Sequence, residues 1–282
     1  MKTVYIHIGF PKTGTTSIQT CLEAESLKGS EFLYPQVGRV GSAQHFLFPL
    51  NTPASGKENT DPPVLYHRLK EEMRSYQGSK IILSTENLAY AEPNYISLLR
   101  QSVDGMNVKV ILYLREQSGL IASSYMQWVR MLTYPFYPSV NQFLDEHANS
   151  FDYRICLGRY GEAFGGKNLI VRHYRRDLLL NGDVVDDFFS LCNIKLSTSV
   201  KVKLNPSLSP AALPMALKIN QLETSMQAKQ DLMDELNALA TQSDKHSKNL
   251  SIIDAETRRK IREMYRDCNE QIEKLYGINL AG

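Results

Sequence analysis

Hydrophobic positions along the chain follow two alternating patterns. Short, nearly continuous apolar runs have the length and composition of buried strands, and they fall at residues 4–8, 80–84, 108–114 and 168–174. Apolar residues at helical spacing follow three of these runs, which predicts helices around residues 18–22, 118–132 and 183–191. Repeated strand-then-helix order is typical of a parallel sheet covered by helices, with ligands at the carboxyl ends of the strands. We therefore predict a three-layer α/β fold with a central parallel sheet.

Two stretches depart from this alternation. Residues 31–63 are rich in Gly, Ser, Pro and Asn and have little periodicity, which predicts a long excursion between strands, of a kind that is often functional. From residue 214 onward the pattern is helical nearly to the end, and residues 255–276 carry an amphipathic stripe. Because we find no internal repeat and no low-complexity tail, we expect one domain over residues 1–282, with residues 213–282 as its mainly helical C-terminal part.

Composition narrows the classes of function. The apolar content of 43% is enough for a substantial core, and the net charge of +2 does not favour a general nucleic-acid binder. The four cysteines stand singly, without the paired spacing of a zinc site, so we expect them to be reduced and expect no metal. A strand pattern that starts at Thr3 leaves no room for a signal peptide, and no apolar stretch has the length of a membrane span. These features favour a cytoplasmic protein without an integral membrane segment.

The loop between the first strand and the first helix has the composition of an anion site. In Gly9-Phe-Pro-Lys-Thr-Gly-Thr-Thr-Ser17, small residues free the backbone amides to face an anion at a helix N-terminus. The glycines have P-loop spacing, but Thr15 stands where a nucleotide kinase carries its lysine, and the lysine is displaced to Lys12. A P-loop kinase also needs an acid at the end of a neighbouring strand to help hold magnesium, whereas the run at 110–114 ends in Arg115. The pattern favours a P-loop-like fold that holds phosphate with cationic side chains.

These residues carry a resemblance to a known family. Pro11-Lys-Thr-Gly-Thr-Thr16 resembles the 5′-phosphosulfate loop of the sulfotransferase superfamily, whose pattern is Pro-Lys-Ser/Thr-Gly-Thr-Thr. A second signature of that family is an arginine that ends a strand, with a serine eight residues later, and Arg115 and Ser123 have this spacing. In the family this pair holds the 3′-phosphate of 3′-phosphoadenosine-5′-phosphosulfate (PAPS). The resemblance implies that PAPS is the donor, bound by Lys12, Thr13, Gly14, Thr15, Thr16, Ser17, Arg115 and Ser123.

Sulfuryl transfer needs an acceptor hydroxyl in line with the leaving group, a base beside the hydroxyl, and positive charge at the leaving phosphate. Lys12 is the candidate for the last role. Glu86, which follows the predicted strand at 80–84, is our first candidate for the base and resembles the glutamate of several carbohydrate-modifying relatives. Alternatively, Glu86 caps the segment after it, and His45 in the excursion contacts the acceptor or is itself the base. His7 lies within the first strand, so we expect a core histidine there.

Further donor contacts follow from the same resemblance. Tyr174 occupies the position of a family tyrosine that approaches the adenine, although core packing is an equal alternative. Lys203 or Asn205 is a candidate to close over the nucleotide. Ser17 stands where cytosolic relatives carry a tryptophan near the adenine, so the platform for the base must come from elsewhere.

The sequence therefore predicts a PAPS-dependent sulfotransferase that acts on a hydroxyl, and by analogy the acceptor is a glycan or a glycolipid. Two rivals stay open: a P-loop kinase that acts on a small molecule, and a non-catalytic nucleotide-binding protein that presents its C-terminal helices to a partner. The sequence does not determine the oligomeric state, and the exposed faces of those helices could pair with a second copy.

Overall fold

The computed structural model describes residues 1–29, 31–40, 44–45, 61–196, 208–243 and 251–280. The strands are β1 Thr3–Ile8, β2 Arg39–Val40, β3 Gln44–His45, β4 Lys80–Thr85, β5 Asn107–Leu114 and β6 Leu169–His173. The longer helices are α1 Thr15–Ser26, α2 Pro62–Ser75, α3 Pro93–Ser102, α4 Gln117–Arg130, α5 Val140–His147, α6 Tyr153–Phe164, α7 Val184–Leu191, α8 Leu213–Gln221, α9 Met226–Ser243, α10 Ala255–Met264 and α11 Arg266–Tyr276.

The four longer strands form one parallel sheet in the order β4-β1-β5-β6. Ile8 at the end of β1 pairs with Thr85 at the end of β4 and with Leu112 near the end of β5, and Leu114 of β5 pairs with His173 of β6. All four strands therefore end at the same edge. The predicted α/β fold, with a parallel sheet flanked by helices, is confirmed.

The sheet is buried on both faces, as its nearly unbroken apolar strands require. On one face, Tyr5, Ile82 and Ile111 pack in a cluster with apolar residues of α1 and α7. On the other face, α6 contacts β5 and β6, and α3 contacts α6. Each large apolar side chain that is fully buried in these layers contributes roughly 1.5–3 kcal/mol.

The structure corrects the predicted elements in two places. Residues 255–276, predicted as one amphipathic stretch, form two helices that meet at Tyr265, whose buried ring donates a hydrogen bond from its hydroxyl to the Ala148 carbonyl at 2.8 Å. Helices α2, α3, α5 and α6 were not predicted. In α2 and α3 a proline stands at the start, where its missing N–H has no helical partner in any case.

Contacts divide the chain into two compact units. The first comprises Met1–Arg115, Tyr153–Leu204 and Ile272–Ile278, and the second comprises Glu116–Asp152, Asn205–Gln271 and Asn279–Gly282. The first unit contains the sheet. The second is helical, with α4 in contact with α5, α8 and α10. The expectation of a single domain stays a prediction.

Candidate functional site

Polar and cationic residues follow each of the four parallel strands of the sheet, at their carboxyl ends. The loop that contains Lys12 follows β1, Glu86 follows β4, Arg115 follows β5 and Tyr174 follows β6. The chain places β4 on one side of β1 and β5 on the other. A crevice opens at such a reversal of strand order, and ligands of open α/β sheets bind there. The first unit therefore gathers the predicted donor loop, base and arginine at one edge.

The loop after β1 has the backbone conformation of an anion cradle. Lys12 has φ 66° and Gly14 has φ 79°, both in the left-handed region. Left-handed residues within a turn direct successive N–H groups toward one side, which forms a concave anion site. The N-cap residue of α1 is Gly14, which has no side chain to cap the helix, whereas the Glu116 carboxylate accepts from two backbone N–H groups at the start of α4. The first turn of α1 thus keeps its positive end for a ligand.

Two hydroxyl groups of this loop donate hydrogen bonds to other groups of the protein. The Thr13 hydroxyl donates to the Phe10 carbonyl at 2.6 Å, and the Thr15 hydroxyl donates to Glu86 Oε1. Both side chains are buried, while Thr16 is exposed and Ser17 is half-buried. Thr13 and Thr15 can therefore present backbone N–H groups to an anion, and Thr16 and Ser17 also have accessible hydroxyls.

Gly9 lets the loop approach α1 closely. A Cβ atom at Gly9 would lie 2.0 Å from Thr15 Cγ2 and 3.6 Å from Glu86 Cγ. We expect Gly9→Ala to destabilise the protein by about 1–3 kcal/mol, as overpacking does, and to displace Thr15 from Glu86. The double variant Gly9→Ala/Thr15→Ser removes the clashing methyl group and keeps the hydroxyl, so it should recover part of the loss. Urea unfolding of the four proteins of this cycle checks the prediction, and additive losses would contradict it.

Glu86 faces the loop after β1. It stands at the N-cap position of the short 3-10 helix Asn87–Tyr90, but its side chain makes no capping hydrogen bond there. Burial raises the pKa of Glu86, while the hydrogen bond from Thr15 and the charge of Lys12 act in the opposite direction. A raised pKa makes this carboxylate a stronger base than an ordinary glutamate, which suits a group that accepts a proton.

Arg115 reaches the same loop from β5. Its guanidinium Nη1 donates to the Lys12 carbonyl at 3.4 Å. Its backbone is held by Tyr153, whose hydroxyl donates to the Arg115 carbonyl at 2.5 Å and lies 3.3 Å from the Arg115 nitrogen. Lys12 and Arg115 therefore lie on one side of the first unit, close enough for a single nucleotide to reach both.

Tyr174 lies against the cradle and also against the core. A Cβ atom at Gly14 would be 3.3 Å from Tyr174 Cε2, and the same ring packs on the apolar cluster of α1 and α7. Asp187 holds the chain on both sides of Tyr174, because it accepts from Arg172 Nη2 at 2.6 Å and from the Leu180 N–H at 3.1 Å. Both interpretations of Tyr174 fit this position.

The structure does not test the roles of four other predicted residues. Ser123 is half-buried on α4 of the second unit. His45 belongs to β3, whose backbone pairs it with Arg39, and Lys203 and Asn205 lie outside the described residues. Their roles stay predictions.

His7 is a core residue, as expected. Its Nδ1 lies 2.8 Å from Ser84 Oγ, and burial lowers the pKa of its imidazole to about 3, so the ring is neutral. Within the described residues its Nε2 has no hydrogen-bond partner. Among the described residues, therefore, only one of the two ring nitrogens of His7 has a hydrogen-bond partner.

Tyr90 is a candidate site residue that sequence reasoning missed. Tyr90 as a whole residue is 39% exposed, and its ring lies edge-on to Phe10, with centroids 6.3 Å apart. Burial raises the pKa of its phenol, and the charge of Glu86 raises it further, which places the two groups within electrostatic range. The sequence signal that could have identified Tyr90 is its position, four residues after Glu86 and close to the end of a predicted strand. Tyr90 is therefore a candidate for contact with a ligand beside Glu86.

In the part of the chain that the structure describes, no cluster of three or more His, Cys, Asp or Glu side chains is arranged to hold a metal ion. None of the helices in that part is long and apolar enough to cross a membrane.

Comparisons with known proteins add little to this geometry. No protein-family model matches the chain. A protein of Archaeoglobus fulgidus described as uncharacterized is 29% identical over 199 residues, which are 70% of this chain and 53% of the relative. The chain thus spans about half the length of that relative. Among solved structures, a sulfotransferase from Alicyclobacillus acidocaldarius matches with a TM-score of 0.47 and 17% identity, over 83% of this chain and 96% of that one. Similarity at this level carries no functional argument, so function must be argued from the site.

Proposed function

We propose that the chain is a sulfotransferase that moves a sulfuryl group from PAPS to an acceptor hydroxyl. The observation that carries the proposal is the contact between Arg115 Nη1 and the Lys12 carbonyl, at 3.4 Å, beside the uncapped N-terminus of α1. In the proposed site, Lys12, Arg115 and the backbone amides of the loop would present positive charge to one ligand. PAPS is an anion at both ends, and its 5′-phosphosulfate and 3′-phosphate match this distribution of positive charge.

The donor would be held in two parts. Its 5′-phosphosulfate would lie on the backbone N–H groups of residues 13–17, with Lys12 at the bridging oxygen. Arg115 would bind the 3′-phosphate, and Tyr174, whose ring lies against Gly14, would approach the adenine. Ser123, Lys203 and Asn205 keep the donor-binding roles that the family resemblance implies for them.

In the reaction, the acceptor oxygen forms a bond to sulfur as the bond between sulfur and the bridging phosphate oxygen breaks. Glu86 takes the proton of the acceptor hydroxyl, and its raised pKa suits this task. Lys12 stabilises the negative charge that develops on the leaving phosphate. The products are the sulfate ester and 3′-phosphoadenosine-5′-phosphate (PAP). His45, whose backbone lies in β3, is a second candidate for the base.

A carbohydrate is the acceptor that we propose. Glu86 matches the base of carbohydrate-modifying sulfotransferases in type, and the partly exposed Tyr90, within electrostatic range of Glu86, would offer an aromatic side chain to a sugar. The acceptor would be part of a glycan or a glycolipid.

Binding of PAP in the presence of EDTA tests the donor site. We expect calorimetry to show binding that is unchanged by the chelator and at least about tenfold tighter than that of adenosine 5′-phosphate, which lacks the 3′-phosphate. Transfer is then measured with radiolabelled PAPS across glycans, glycolipids and phenols. Strict dependence on magnesium with consumption of ATP would favour a kinase instead, and PAP binding without transfer to any acceptor would favour a non-catalytic binding protein.

A further inference from the structure

Helix α6 lies beside two of the strand ends that carry site residues. Tyr153 opens this helix and Tyr160 stands seven residues later, which places the two rings two turns apart on one face. Both are almost fully buried, at 0% and 1% exposure. Each hydroxyl bonds to backbone at the carboxyl edge of the sheet, and the two bonds go to different strand ends.

Tyr153 holds the residue after β5. Its hydroxyl donates to the Arg115 carbonyl at 2.5 Å and accepts from the Arg115 N–H at 3.3 Å, so it serves both backbone groups of that residue. Its ring packs edge-on against Phe10, with centroids 4.8 Å apart, just before the phosphate loop. Tyr153 therefore fixes Arg115 relative to the loop.

Tyr160 holds the segment after β4. Its hydroxyl donates to the Leu88 carbonyl at 2.9 Å, and the neighbouring Arg159 Nη1 donates to the Ala91 carbonyl at 2.9 Å. These bonds anchor both ends of the short helix that follows Glu86. Glu86 immediately precedes this short helix.

We propose that Tyr153 and Tyr160 are positioning residues with separate duties: Tyr153 sets the affinity for the 3′-phosphate through Arg115, and Tyr160 sets turnover through Glu86. This inference rests on the proposed function. Removal of the Tyr153 hydroxyl leaves two backbone groups of Arg115 without this hydrogen-bond partner. The backbone of Arg115 is then less firmly held, and so is its guanidinium group. Removal of the Tyr160 hydroxyl frees the segment on which Glu86 depends and leaves Arg115 in place.

The test compares two hydroxyl deletions on one helix. PAP and adenosine 5′-phosphosulfate, which lacks the 3′-phosphate, are titrated into wild type, Tyr153→Phe and Tyr160→Phe. We expect Tyr153→Phe to weaken PAP binding roughly tenfold and to leave adenosine 5′-phosphosulfate within about twofold of wild type. Tyr160→Phe should keep the affinity for PAP and lower the kcat of sulfuryl transfer roughly tenfold.

Tyr265→Phe is the matched control, because Tyr265 is also buried and also donates from its hydroxyl to a backbone carbonyl, that of Ala148, within the second unit. It should change thermal stability only. If Tyr153→Phe lowered the affinity for both nucleotides equally, or left the affinity for PAP unchanged, the proposal of separate roles for the two tyrosines would be wrong. Failure of the wild type to bind PAP at all would instead overturn the proposed function together with this inference.

Discussion

Lys12→Gly and Lys12→Ala should both lose sulfuryl transfer by roughly 10²–10³-fold in kcat, yet the glycine variant should be the more stable of the two. The loss of rate follows from removal of the charge that stabilises the leaving phosphate. The difference in stability follows from the backbone, because Lys12 has φ 66°. Glycine adopts this conformation freely, whereas alanine retains a strain of about 1 kcal/mol.

This pair of variants separates charge from folding. Transfer is measured with radiolabelled PAPS, and stability by urea unfolding. Lys12→Arg, which keeps a positive charge with a different shape, should retain more activity than either. Transfer near the wild-type rate in Lys12→Gly would exclude the leaving-group role. Equal stability of the glycine and alanine variants would contradict the left-handed conformation at residue 12.

The sequence was sufficient to predict the strands and the edge where the candidate site lies. The run at residues 110–114 is apolar throughout because both faces of its strand are covered, and this pattern depends little on the rest of the chain. Arg115 and Glu86 follow such runs directly. Their position at the carboxyl edge therefore follows from strand direction alone, once the sheet is known to be parallel.

Contacts between residues distant in sequence were not predictable in this way. The bonds from Tyr153 to Arg115 span 38 residues, and nothing in the local pattern around Tyr153 distinguishes it from an ordinary core tyrosine. The hydrogen bond from the Thr15 hydroxyl to Glu86 joins residues that are 71 positions apart in sequence. Such bonds arise from packing of whole elements, which periodicity does not encode.

The hydrophobic pattern of the sequence also did not predict where helices end. The amphipathic stripe over residues 255–276 continues across Tyr265, because Ile261, Tyr265 and Cys268 are all buried. The backbone nevertheless leaves the helical conformation at Tyr265, with φ −105° and ψ 14°. Apolar spacing reports which residues are buried, and it does not report the turn between two helices that bury them.

Glu86→Gln should lower turnover by about 10²–10⁴-fold, change the affinity for PAP little, and raise the stability of the protein at pH 7. Glutamine keeps the shape and can still accept from Thr15, but it cannot take a proton. Because burial raises the pKa of Glu86, the folded protein binds this proton more tightly than the unfolded chain does. The stability contributed by the group is full below its unfolded pKa and is lost as the pH rises through its folded pKa.

Wild type and Glu86→Gln should therefore be equally stable near pH 4 and diverge toward pH 7, with the variant above. Asp187→Asn is the opposite control. Although burial acts against it, hydrogen bonds from Arg172 and Tyr113 lower the pKa of Asp187, so its contribution is present above its unfolded pKa and is lost as the pH falls. That variant should be less stable than wild type at pH 7, with a difference that shrinks in acid. Urea unfolding across this range distinguishes the two signs, and a Glu86→Gln protein that is less stable than wild type at pH 7 would contradict the predicted effect of burial on Glu86.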